Sequence, residues 1–174
     1  MKRLLWFERQ FTFGLPAGML PFYLERLEGT IIRLEEKVNG FSEETLSTKF
    51  NTKWSVKQNI GHLAEVDQIA NRRIDEIMSG VSTLSPAVFE PGGDYNRQPI
   101  GQVLALFNDQ RNKNLVKYCS LVETDLTKSS LHPRLKVQFT AVDLAWFDAE
   151  HDDHHLVTIN ELLKALAPAA VKSL

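Results

Sequence analysis

The sequence predicts an all-α fold, a four-helix bundle with long crossover connections, on three observations. Apolar residues recur at alternating spacings of three and four along four separate stretches, the signature of one buried helix face. Each stretch covers roughly 20 to 27 residues, about 30–40 Å of helix at 1.5 Å per residue, and four such amphipathic helices pack by default as a bundle. The connections between them exceed the roughly 2–8 residues usual in bundles, so some can cross its length and allow parallel neighbours.

Residues 1–19 carry Trp6, Phe7, Phe11 and Phe13 and read as a strap or short helix on the outside of the bundle. The first helix places Leu20, Leu24, Leu27, Ile31, Leu34 and Val38 on one face. Pro21 is tolerated in its first turn, and Asn39-Gly40 ends it. The second opens at Ser55, where Ser55 and Gln58 form a Ser-x-x-Gln capping box. It runs through Ile60, Val66, Ile69 and Ile77 to Met78, and Ser79-Gly80 stops it. A third begins near Pro99 and carries Ile100, Val103, Leu104, Phe107, Leu115, Tyr118, Leu121 and Val122. The fourth starts around Thr140 and continues through Leu144, Phe147, Ile159, Leu162 and Leu166 to Pro168.

A chain of 174 residues argues for one domain over 1–174. With 43% hydrophobic residues and a net charge of −2, its composition is that of an ordinary globular protein. The near-neutral charge argues against nucleic acid as a partner. The single cysteine, Cys119, excludes an internal disulfide and any Cys-rich zinc module. Glu8, Arg9 and Gln10 interrupt the apolar run that a signal peptide needs. No stretch of about 18 apolar residues suggests a membrane span. The expected location is the cytoplasm.

Three of the five histidines fall within five residues. At about 100° per residue, His151 and His155 lie at the centre of the apolar stripe of the fourth helix, one turn apart, with His154 on its flank. On the second helix His62 shares the inward face with Val66, Ile69 and Arg73. A bundle core can therefore bring one imidazole from the second helix towards two from the fourth, and histidines at i and i+4 offer nitrogens to a common point. Three neutral imidazoles with open positions suit zinc, nickel or ferrous iron. His132, in Leu131-His132-Pro133, reads as a turn or surface residue.

Other polar side chains share these buried faces. Asp148, one turn before His151, reads either as an acceptor that orients an imidazole or an additional ligand, or as the partner of a base such as Arg73 or Arg111. It is the best catalytic acid–base candidate on the chain. Arg111 interrupts the apolar stripe of the third helix and needs an anion: Asp148 or a substrate carboxylate, which makes it a candidate catalytic or substrate-binding residue. Asn59, near His62, reads as a substrate donor or a bridge between helices. A dinuclear carboxylate centre is excluded, because it needs a Glu from each of two helices and Glu-x-x-His on the others, and Asp148-x-x-His151 is one loose match.

Two segments carry a family resemblance. Trp54-Ser55-Val56-Lys57-Gln58-Asn59-Ile60-Gly61-His62-Leu63 resembles the Trp-Ser…His-Leu segment of the DinB-like superfamily. Glu150-His151-Asp152-Asp153-His154-His155-Leu156 resembles that family's C-terminal His-x-x-x-His helix. The resemblance covers most of the chain. It implies a four-helix bundle of atypical crossover topology and a three-histidine divalent-metal site, carried here by His62, His151 and His155. Some members resemble thiol-dependent S-transferases or isomerases using bacillithiol, mycothiol or glutathione. The resemblance therefore implies a metal-dependent thiol S-transferase acting on a small electrophile. The alternatives are a metal-dependent hydrolase and a non-catalytic metal-binding bundle. Cys119 lies off the central face of its helix, so the sulfur for any thiol chemistry must come from a low-molecular-weight cofactor. Family members are often dimeric, which implies a homodimer.

Overall fold

The computed structural model describes residues 3–51, 53–87 and 90–166. Its long helices are α1 (Leu20–Val38), α3 (Val56–Ser79), α4 (Ile100–Ser120) and α5 (Ala141–Leu166), with a short α2 (Glu43–Ser47) between the first two. A hairpin of β1 (Ser130–Leu131) and β2 (Gln138–Phe139) precedes α5; Ser130 pairs with Phe139 and Leu131 with Gln138. Among the described residues no helix is long and apolar enough to cross a membrane.

The helix ends follow local chemistry. Ser55 Oγ accepts from Gln58 N while Gln58 Oε1 accepts from Ser55 N, both at 3.1 Å, the reciprocal capping box expected at the start of α3. Gly80 closes α3 at φ +73°, a left-handed conformation that glycine adopts without a Cβ clash. Thr140 and Asp143 cap α5 reciprocally. The α4 helix stops at Ser120, and Val122 is 60% exposed. That corrects its expected place in the core: the chain turns extended at Leu121, so the helical phase is lost before Val122. The expected end of the last helix at Pro168 lies outside the described residues.

The closest helix packing runs in a ring: α3 on α4, α4 on α1, α1 on α5 and α5 on α3. Consecutive long helices α1 and α3, and likewise α4 and α5, sit across the diagonals. The connections from α1 to α3 and from α4 to α5 therefore join diagonal positions, whereas the long connection from α3 to α4 joins ring neighbours. One apolar cluster includes Leu34, Ile60, Leu63, Phe107 and Ile159. A second includes Leu27, Ile74, Ile77, Tyr118 and Leu144. The long helices also share a buried, hydrogen-bonded polar layer that includes Thr30, Asp67, Arg111 and Asp152.

This layer corrects the expected pairing of Arg111. Its Nε and Nη2 donate to Asp67 at 2.8 and 3.0 Å, its Nη1 and Nη2 to Asp152 at 2.6 and 3.1 Å, and Nη1 also to the Leu27 carbonyl at 2.9 Å. Those five bonds match the five N–H groups of a guanidinium. Asp148 makes none of them.

Candidate metal centre

The α3 and α5 helices are neighbours in the ring, so the inward faces bearing His62 and the His151/His155 pair confront each other. Each imidazole offers one nitrogen, and the three lie within 4.8 Å of one another. His151 Nε2 and His155 Nε2 are 3.2 Å apart. Nitrogens bound to one zinc at about 2.0–2.1 Å in a tetrahedron lie roughly 3.4 Å apart, so small side-chain rotations close the set.

The surroundings fix these rings. Asn59 Nδ2 donates to the Ser55 carbonyl at 2.8 Å, which turns its Oδ1 towards His155 Nδ1, also at 2.8 Å. His155 Nδ1 therefore carries the proton, and the lone pair of Nε2 faces His151. Trp54 stacks parallel to His155, with centroids 6.1 Å apart, and meets His62 edge-on at 4.9 Å. Trp6 meets His151 edge-on at 5.1 Å. Gly61, beside His62, has no room for a Cβ because the Tyr95 ring lies flat against it.

Burial holds the imidazoles neutral. His62 is pushed down to about 4 by burial, partly offset by Glu65. His151 and His155 lie well below the ordinary histidine range, from burial and then from their neighbouring imidazoles. Among the described residues the buried Nδ1 atoms of His62 and His151 have no hydrogen-bond partner. Neutral imidazoles with unspent lone pairs, converging on one point, fit a divalent ion of the zinc, nickel or ferrous type.

The three histidines form part of the wall of a cavity of about 600 Å³. Trp6, Phe11, Trp54 and Phe147 give it an aromatic lining. The site thus has open space beside it, which a closed structural metal site lacks.

The other predicted residues divide. Asp148 lines the cavity at 7% exposure, with no hydrogen bond and no cation within ion-pair distance among the described residues. Burial, then Asp67, holds its carboxyl well above the usual carboxylate range, and Arg111 offsets this only in part. Arg111 is sealed in the polar layer and has no surface on the cavity, so its expected contact with substrate is corrected: all its donors are spent inside the core. Asn59 is 1% exposed and sits behind His155, which replaces the expected substrate contact with a hold on a metal-site imidazole. His154 is half-buried against Trp6 and lines the cavity. His132 serves a turn, as expected, but is buried rather than on the surface.

Trp54, Trp6, Asp67 and Asp152 escaped the sequence reading as site or core-network residues. Asp67 and Asp152 lie about 140° and 100° around their helices from His62 and His151. They serve second buried faces that one apolar stripe does not reveal.

The model of the DinB superfamily matches residues 26–159. The chain belongs to the DinB superfamily. That span takes in all three histidines and leaves the N-terminal strap outside. Among solved structures, YfiT from Bacillus subtilis, reported as a probable metal-dependent hydrolase with an unusual four-helix bundle topology, superposes with a TM-score of 0.78. The match is 18% identical and covers 91% of this chain and 93% of that one, a likeness of fold. No curated protein matches the sequence.

Proposed function

We propose that this DinB-superfamily protein is a divalent-metal-dependent enzyme acting on a small, largely apolar molecule, with the thiol of a low-molecular-weight cofactor as nucleophile. The observation that carries it is the convergence of three neutral imidazoles on the wall of an open aromatic cavity. A divalent ion held by His62, His151 and His155 would favour the thiolate form of a bound thiol and polarise an oxygen of the electrophile.

The chain supplies the rest. Asn59 keeps the His155 lone pair aimed inward. Trp6, Phe11 and Phe147 keep water off an apolar substrate. Asp148, its carboxyl held well above the usual carboxylate range, stands at the cavity wall as the group to give a proton to a leaving or developing oxygen. Cys119 is exposed on α4 and absent from this wall, so the sulfur must enter with a cofactor.

Hydrolysis is the second reading, favoured by the report on YfiT and by a cavity acid suited to water chemistry. Metal analysis of the purified protein beside His62→Ala and His155→Ala is the first test. We expect about one ion per chain in the wild type and loss in both variants; equal content in all three overturns the metal site. Next, the loaded enzyme is offered a model electrophile with and without thiol, and an ester or amide without thiol. Metal-dependent thiol consumption supports the transferase, and thiol-independent cleavage replaces it with the hydrolase.

A further inference from the structure

The cavity that reaches the histidines at one end has a charged wall at the other. Arg73, three turns after His62 on α3, lines it at 5% exposure. Its Nε and Nη2 donate to the Ser85 carbonyl at 3.1 and 2.8 Å. No carboxylate lies within 4 Å of it among the described residues. Arg111 is equally deep and has two.

The acids near Arg73 do not neutralise it by contact. Glu76 is turned to Ser85, accepting from its backbone N at 2.8 Å and from its hydroxyl. Asp148 stands beyond ion-pair distance, and burial, then Asp67, hold its carboxyl well above the usual carboxylate range against the opposing pull of Arg111 and of Arg73 itself. A guanidinium does not shed its proton in a protein, and a buried charge without an anion is costly.

His132 adds a second donor at the same place. Its Nδ1 accepts from the backbone N–H groups of Arg134 and Leu135 at 3.3 and 3.1 Å. Burial, with Arg73 and Arg134 nearby, lowers it to about 4. In the neutral ring the proton must then sit on Nε2, which faces Arg73 Nη1 at 3.5 Å. Two donors point at each other with no acceptor between them. That arrangement suits an anionic oxygen reaching both.

We propose that Arg73 and His132 form an anion subsite that binds the carboxylate of the substrate, holding its apolar body along the aromatic wall and its reactive end towards His62, His151 and His155. The proposal deepens the functional reading above by naming a substrate class, and it rests on that reading's choice of cavity.

The test is equilibrium binding, independent of turnover. Full-length protein, metal-loaded and after chelator treatment, is titrated with 4-phenylbutanoate and with its neutral analogue 4-phenylbutanamide by calorimetry. We expect the carboxylate to bind at least tenfold more tightly than the amide in both forms. Arg73→Gln should abolish that preference, and Arg73→Lys, which keeps the charge but loses the fork, should retain part of it. Equal binding of acid and amide by the wild type overturns the proposal, whether or not the variants fold. So does a preference that vanishes on chelation, because the carboxylate is then bound by metal. Failure to hold metal or turn over substrate would refute the enzyme reading and leave this binding comparison intact.

Discussion

Asn59 decides which nitrogen of His155 faces His151. It accepts from Nδ1 at 2.8 Å, and that single bond selects the tautomer with a free Nε2 lone pair. Partners that orient a ligating imidazole commonly carry 10–100-fold in metal affinity. Asn59→Leu should keep the helical fold and weaken zinc binding by about that factor in competition with a chromophoric chelator; unchanged affinity would deny Asn59 this role. His132 makes a second prediction at the same scale. Its pKa falls to about 4 in the fold from an ordinary 6.5, so the unfolded chain binds more protons in between. The contribution of neutral His132 is present above pH 6.5 and is lost as pH falls towards 4. Urea midpoints measured from pH 7.5 to 4.5 should fall less steeply in His132→Gln than in the wild type, by on the order of 1–3 kcal/mol at the acid end. Parallel profiles would contradict it. Helical phase made the three metal-site histidines legible, because His151 and His155 fall one turn apart on the stripe and His62 falls on the face opposite. It misdirected Arg111, whose partners Asp67 and Asp152 occupy other faces.

At the scale of elements, one side chain anchors the end of the strap that leads into α1. Asp143 accepts from Thr140 at the N-terminus of α5 and from the backbone N–H groups of Gly14 and Leu15 at 2.8 and 3.0 Å. The cap of one helix is thus also the anchor of the segment that lays Trp6 and Phe11 over the cavity. Arg9 pairs with Glu150 further along the strap, where Trp6 and Phe11 also pack on Phe147. Asp143→Ala should cost about 2 kcal/mol, the upper range for a lost helix cap, and raise amide hydrogen exchange across residues 5–15 while the core of α3 stays protected. Exchange that rises equally everywhere would mean Asp143 stabilises the bundle without tethering the strap. The long helices and the Ser55 cap were readable because periodicity and capping are local. The five-residue α2 and the two-residue strands were not: they are shorter than any repeat that could announce them, and the hairpin is held by a pairing across seven residues and by Leu131 bridging to Thr83.

On the scale of the molecule, the ring order α1–α5–α3–α4 makes the candidate metal centre a cross-link, once an ion is bound, between two helices far apart in the chain. His62 comes from α3, and His151 and His155 come from α5. Unfolding separates these helices and dissolves the site, so binding stabilises the whole bundle rather than one segment. A metal at 100 times its dissociation constant adds about 2.7 kcal/mol, and for a domain of this size that raises the melting temperature by roughly 5–10 °C. Burial keeps these rings neutral and Asn59, Trp54 and Trp6 hold them in place, so the metal-free protein should remain folded with the same helix content. His62→Ala and His155→Ala should each fold and lose most of the metal-dependent shift, while Cys119→Ser should keep all of it. A shift that survives in both histidine variants would place the stabilising ion elsewhere on the molecule. A metal-free protein that melts without cooperativity would show instead that the polar layer and the two apolar clusters do not hold the bundle unaided.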